Sequence, residues 1–248
     1  MSNDISSVEY LLQNPHLIKF AFQPIYRIKD YSIYGYEALM RPGKMSPIDF
    51  INRVAEMDKL YIIEEITNYY GVKNFMDLKL EGKIFLNSFP SVCMRVSEAK
   101  KVAALGGDYM KDRLVYEILE YTHFEKYAWA MKRAAFLSEG ATPLVAIDDF
   151  GTGSNIDEEC LDFYNPNLVK IDRKYVSGID KNISNQIIVD KIISILRKKN
   201  IMILAEGIET EEEYKYFKEK KIDFAQGYFL GKPMIYDNKK IIDFKKVI

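Results

Sequence analysis

From residue 83 onward the chain alternates short apolar runs with longer segments of helical period, and few folds tolerate that alternation. The runs cover 83–87, 114–117, 144–149, 168–172, 201–206 and 224–227. Strands separated by helices build βα units around a parallel sheet. Upstream, the segments 20–28 and 32–39 flank the turn Lys29-Asp30, a connection short enough to demand an antiparallel hairpin. The total is about eight strands, the number of a closed (β/α)8 barrel. The expected fold class is therefore α/β: a TIM-like barrel with one antiparallel strand pair. No Pro-, Gly- or Ser-rich linker and no internal repeat divides it. Residues 20–248 read as one barrel. Residues 1–19, with a short helix capped at Ser6 or Ser7 and stopped by Pro15, read as an N-terminal appendage too short for a further domain.

The helices carry start signals of their own. Ser46 precedes Pro47 as an N-cap. A helix is expected over 61–75, another over 124–137, and a third over 182–199 with Ile187, Ile188, Ile192, Ile195 and Leu196 on one stripe. Thr210 and Glu213 form a capping box. Asp237 or Asn238 starts the last helix.

Composition closes off several functions. The net charge is -1, which gives no electrostatic case for a nucleic-acid polymer or an anionic membrane surface. The lysine clusters at 198–199, 218–221 and 239–240 fall late in expected helices, where they favour the helix dipole. Two cysteines, Cys93 and Cys160, are too few for a disulfide framework and lack metal-site spacing. The N-terminus lacks a basic signal region, and no apolar run is long enough to span a bilayer, so no membrane insertion and a cytoplasmic setting are expected.

The ends of the strands are where the chemistry gathers. Leu144-Val145-Ala146-Ile147 runs straight into Asp148-Asp149, and Gly151 and Gly153 follow. Alone, this could be a buried strand stopping at an Asp-rich turn. The pattern recurs, however: strand by strand the last residues are Glu37, Asn87, Glu117, Asp148 with Asp149, Lys170 with Asp172, Glu206, and Gln226. In a barrel these ends converge on one mouth. Carboxylates gathered there repel one another unless a cation offsets them. An Asn amide among carboxylates suits a hard divalent ion such as Mg²⁺ or Mn²⁺. Two such ions sharing a carboxylate activate water for in-line attack at phosphorus. The single lysine can orient that water, or take its proton if burial lowers its pKa. Metal-dependent phosphoester hydrolysis follows, with a carbon-centred lyase or aldolase as the competitor.

At this point the sequence resembles the EAL-domain phosphodiesterases that hydrolyse cyclic di-GMP. The name-giving tripeptide is Glu37-Ala38-Leu39, inside a motif ending at Arg41, and the Gln-Pro-Ile element is Gln23 to Ile25. The strand-end Asn matches Asn87, and the Glu-x-x-Glu motif matches Glu117 and Glu120. Asp148 to Gly153 is the Asp-Asp-Phe-Gly-Thr-Gly signature, and Lys170 to Asp172 the Lys-Ile-Asp motif. Ala205 to Thr210 and Gln226 to Pro233 complete the series.

The resemblance implies roles. Glu37, Asn87, Glu117 and Asp148 would ligate a first metal, and Asp148, Asp149 and Glu206 a second, both Mg²⁺ or Mn²⁺. Lys170, with Glu37 and Asp149, would carry catalysis. Gln23, Leu39, Arg41, Asp172, Glu209, Gln226 and Pro233 would hold cyclic di-GMP, although Asp172 could equally be an ion-pair partner of Lys170. Glu120 would steady the loop after Asp149, and the protein would be a homodimer. Three departures stand out: Leu119 replaces a Thr, the segment after Arg41 is short, and residues 154–159 read Ser-Asn-Ile-Asp-Glu-Glu, a loop that in the family couples site to dimer. The acids at 157–159 suit a first helical turn near Asp157. The alternative to catalysis is a weak or inactive member acting as a cyclic di-GMP receptor or a protein-docking module. The ligand set is complete, which favours the enzyme.

Overall fold

A computed structural model describes residues 2–119, 126–151 and 158–235. Eight strands close a barrel in sequence order. They are β1 (Lys19–Arg27), β2 (Ile33–Arg41), β3 (Lys83–Ser88), β4 (Leu114–Leu119), β5 (Leu144–Phe150), β6 (Leu168–Ile171), β7 (Met202–Ala205) and β8 (Phe224–Ala225). From β2 to β8 every neighbouring pair is parallel. β1 runs the other way. Because a barrel has no edge, an inverted strand meets two neighbours, so β1 is antiparallel to both β2 and β8. The hairpin expected from the sequence supplies one of these pairs, and closure supplies the second.

Most helices follow their sequence signals, but the first begins upstream of the expected Ser6 or Ser7 cap, and Ile187, expected on the apolar stripe of 182–199, is exposed, with Val189 and Ile193 buried there instead. α1 (Ser2–Gln13) buries Val8 against the barrel. α2 (Pro47–Glu56) starts at Ser46, whose side chain accepts from Asp49 N. The helix expected over 61–75 is α3 (Leu60–Ile66) passing through a π-turn at Thr67–Gly71 into α4 (Val72–Asp77). Next come α5 (Val96–Gly106), α6 (Asp108–Lys111), α7 (Lys126–Leu137), α8 (Glu158–Tyr164) and α9 (Arg173–Val176). Then α10 (Ile183–Lys198) is capped by Asn182, and α11 (Glu211–Glu219) opens with the Thr210–Glu213 capping box. The acids Glu158 and Glu159 fall in the first turn of α8. The other residues of that loop, 154–157, lie outside the described residues, as does the expected final helix from 237. No helix is long and apolar enough to cross a membrane among the described residues.

Two apolar shells lie between barrel and helices, and a smaller cluster fills the barrel itself. The inner cluster contains Ile25, Phe85, Val115, Ala146, Leu168, Leu204 and Phe224. Side chains two residues apart share a face of a strand. The next inward positions are therefore Gln23, Asn87, Glu117, Asp148, Lys170, Glu206 and Gln226. Six of the seven stand two places after the apolar residue, and Gln23 two places before Ile25, because β1 is inverted. The apolar layer is thus the support on which the polar layer rests.

Candidate active site

Lys170 is the centre of the mouth. It is fully buried, and its Nζ lies 2.9 Å from Glu117 Oε1, 3.0 Å from Asp148 Oδ1, 2.9 Å from Glu206 Oε2 and 3.8 Å from Glu37 Oε2. Glu37 also accepts from Gln226 Nε2 at 2.7 Å and from Asn87 Nδ2 at 3.4 Å. Three of the four parallel-strand acids and the hairpin acid therefore share one cation. Glu37 is not at a strand end, as expected, but four residues short of it. The β1–β2 ladder continues to Lys19 and Arg41, whereas the β2–β3 ladder stops at Ala38, so the hairpin projects past the mouth.

The electrostatics follow from this packing. Burial works against the charge on Lys170, but Asp148, Glu117, Glu206 and Glu37 together hold its ammonium well above the usual lysine range. With the four carboxylates around it, Lys170 is charged and able to orient and donate to an oxygen at the mouth. Burial, reinforced by Glu37 and Asp148, pushes Glu117 well up against the pull of Lys170. Burial and the neighbouring Asp148 and Glu37 push Glu206 up to about 8, although Lys170 opposes them. The Glu206 side chain is 30% exposed, while the oxygen on the lysine is enclosed.

Asp149 reaches the mouth through a backbone irregularity. Adjacent strand residues face opposite ways. Between Ile147 and Phe150, β5 holds one residue more than β6 does between Val169 and Ile171, a β-bulge. Asp149 sits there at φ +54°, in the left-handed region that Asp tolerates better than most residues. Burial, then Asp148 and Asp172, push its carboxyl up to about 7. Asp172 caps α9 by accepting from Lys174 N at 2.8 Å and shares a hydrogen bond with Asp149. It forms no ion pair with Lys170, whose carboxylate partners are the four named above.

The expected substrate residues are less tightly gathered. Gln23 is buried and donates to Gly231 O at 3.1 Å. Arg41 and Leu39 are half-buried on the projecting part of β2, with Arg41 donating to Met40 O. Glu209 is exposed and paired with Arg173, and Pro233 is half-buried. A Cβ on Gly227 would stand 2.0 Å from Ile208 O, so only glycine lets the chain pass there directly after Gln226. Glu120 lies outside the described residues.

The donor set fits a hard divalent cation. All the candidate ligands are oxygen donors, and Glu117 Oε2 is enclosed with no hydrogen-bond partner, an acceptor that a cation would satisfy. Among the described residues no three acids stand in mutual metal-ligand geometry, because the Lys170 ammonium lies between them. A cleft of about 750 Å³ lies outside the barrel beside Tyr61, Tyr69 and Tyr70 and shares no residue with the mouth. Charge, not volume, marks this site.

A second buried ion pair backs the first and was not foreseen from sequence. Lys132 of α7 and Glu64 of α3 meet at 2.7 Å, 2% and 3% exposed. Lys132 donates to Ser88 Oγ at 2.6 Å and Phe89 O at 3.0 Å, and Glu64 accepts from Ser88 Oγ and Phe89 N. Tyr116 donates to Asn68 in the π-turn. Ser88 and Tyr116 are the outward neighbours of Asn87 and Glu117, so this network grips the two strand ends from behind. A signal existed: Lys132 falls on the stripe Ala128, Trp129, Ala135, Phe136, at spacings that bury a helix face.

Comparison with known proteins agrees with this geometry. The model of the EAL domain family matches residues 6–233. The chain is 38% identical over 229 residues to the probable cyclic di-GMP phosphodiesterase PdeD of Escherichia coli (strain K12), covering 88% of this chain and 42% of that protein. It resembles the c-di-GMP-bound form of a standalone versatile EAL protein from Vibrio cholerae O395, with TM-score 0.75 and 28% identity over 87% of this chain and 92% of that one. The manganese/cy-diGMP complex of Klebsiella pneumoniae BlrP1 matches with TM-score 0.72 and 26% identity, over 85% and 54% of the two chains. The chain spans less than half the length of the first curated relatives it matches, 42–47%.

Proposed function

Because the chain belongs to the EAL domain family, we propose that it hydrolyses cyclic di-GMP to linear pGpG with Mg²⁺ or Mn²⁺, two per active site. The observation that carries this reading is the enclosed cluster of Lys170 with Glu37, Glu117, Asp148 and Glu206 at the barrel mouth. Glu37, Asn87, Glu117 and Asp148 would hold one metal, and Asp148, Asp149 and Glu206 the other. When bound, the metals neutralise phosphate charge and make water a nucleophile at neutral pH. Lys170 donates from Nζ to the oxygen it positions. Asp149 offers a carboxylate beside the reacting centre. The Arg41 fork matches a phosphate, while Gln23, Leu39, Asp172, Glu209, Gln226 and Pro233 line the remainder of the ligand. The complete set of acids, Asn87 and lysine supports catalysis over a receptor or docking role.

A homodimer in a cytoplasmic setting completes the reading. Supporting it, α7 exposes a continuous stripe of Tyr127, Ala130, Met131, Ala134 and Leu137. An exposed apolar stripe of this kind suits a partner helix.

The test is incubation with cyclic di-GMP and Mg²⁺ or Mn²⁺, followed by nucleotide chromatography. Linear pGpG should form, and EDTA should abolish it. Full turnover in EDTA would refute the metal mechanism. Tight binding without any product would establish the receptor instead.

A further inference from the structure

The opposite end of the barrel holds a cleft of about 420 Å³ that the mouth chemistry does not use. The inversion of β1 helps to build it. β1 is the strand whose C-terminal end reaches this floor, and its last residue, Arg27, pairs with Phe224 at the start of β8. Lys83, the first residue of β3, and Arg113, immediately before β4, complete a trio of half-buried cations.

None of the three forms an ion pair with a carboxylate among the described residues. Their partners are neutral. Arg27 donates to Ile33 O at 3.2 Å and lies over the Tyr34 ring at 4.7 Å. Arg113 donates to Gly82 O at 3.0 Å and lies over Tyr109 at 3.8 Å. Lys83 donates to the Asp112 backbone carbonyl. Two acids line the cleft, but Asp108 is engaged by Lys111 at 2.7 Å, and Asp112 is exposed. Burial first, then Arg113 and Arg27, draw the Lys83 ammonium down, against the opposing pull of Asp112. Half-buried like charges are unfavourable without a counter-charge. Guanidinium forks match phosphate oxygens two at a time, and lysine adds a point charge. The cleft volume is that of a small-molecule site. The exposed face of Tyr109 offers a planar surface beside the cations.

We propose that this floor cleft binds a phosphomonoester, its phosphate held between Arg27, Lys83 and Arg113 and its organic part against Tyr109. The proposal is independent of the reading of the mouth. Its two sources of phosphate are a 5′-mononucleotide and free inorganic phosphate.

Calorimetric titration of the full chain in EDTA tests it, with GMP, inorganic phosphate and guanosine as the probes. Saturable binding of GMP or phosphate, and none of guanosine, is expected. GMP binding at least tenfold tighter than phosphate assigns the nucleotide, and equal affinity assigns the phosphate group alone. The Arg27→Gln, Arg113→Gln double variant should weaken binding at least tenfold. Arg27→Lys, which keeps the charge, should retain part of it and guards against a folding artefact. An Arg41→Ala variant locates any competing site at the mouth. No saturable binding, binding that survives the double variant, or binding abolished by Arg41→Ala would each overturn the proposal.

Discussion

The mouth and the floor of this barrel are opposites in charge and in how that charge is satisfied. At the mouth, one enclosed lysine meets four carboxylates. At the floor, three half-buried cations rest on carbonyl oxygens and tyrosine rings, with no carboxylate pair among the described residues. A net charge of -1 conceals this separation entirely. The lesson is that total charge speaks to solubility and steering, whereas local field decides ligands. Burial depth also differs. Enclosed groups lose all their water, so removing one partner is costly; half-buried groups keep part of theirs.

The largest expected effect follows from Lys170→Met, which strips the mouth of its cation. Stability should fall by about 3–5 kcal/mol, and turnover of cyclic di-GMP by about 10²–10⁴-fold. Denaturant unfolding and nucleotide chromatography read both, and Mn²⁺ should recover part of the stability. A variant as stable and as active as the native chain would erase the contrast with the floor. Lys132→Met comes next, at about 3 kcal/mol, because it leaves Glu64 buried and unpaired. Adding Glu64→Gln should restore part of that loss, and strict additivity of the two would mean they are not coupled. Asp149→Gly carries the opposite sign. It relieves the positive φ and the crowded carboxylate, so stability should rise by up to ~1 kcal/mol while activity falls. A destabilised Asp149→Gly would show that the bulge is held by this side chain. The smallest effect belongs to the floor: Arg113→Gln should cost about 0.5–1 kcal/mol, the scale of an accessible cation–π contact. A loss of the size expected for Lys170→Met would mean the floor cations are structural keystones.

Most of the barrel was legible because its signals are local. Short apolar runs, Ser46, Thr210 and Glu213 each act within a few residues, and they stand where the sequence put them. Six of the mouth residues, Asn87, Glu117, Asp148, Lys170, Glu206 and Gln226, were legible for the same reason, since each follows its strand's inward apolar residue by two places. What stayed hidden depends on partners distant in the chain. The bulge at Asp149 appears only when β5 is set against β6. The charge state of Lys170 needs four acids from four other strands or strand ends, and local reasoning had left a lowered pKa open. The π-turn at Thr67–Gly71 is fixed by Asn68 reaching Tyr116, 48 residues away. The second antiparallel seam exists only because the sheet closes.

That seam sets a timetable for folding. Among the described residues two ladder pairs, Tyr26 with Ala225 and Arg27 with Phe224, join the first strand to the last, and the Ile28 N to Asp223 O hydrogen bond and a bridge from Phe22 to Met234 reinforce them. Contacts across such sequence distances form slowly, because loop closure must precede any reward. Until they form, β1 and β7 are open edges, able to pair with another chain. The vulnerable species is therefore a nearly finished barrel awaiting its shortest strand. Weakening β8 should show itself first as aggregation during refolding, before any change in the chemistry at the mouth.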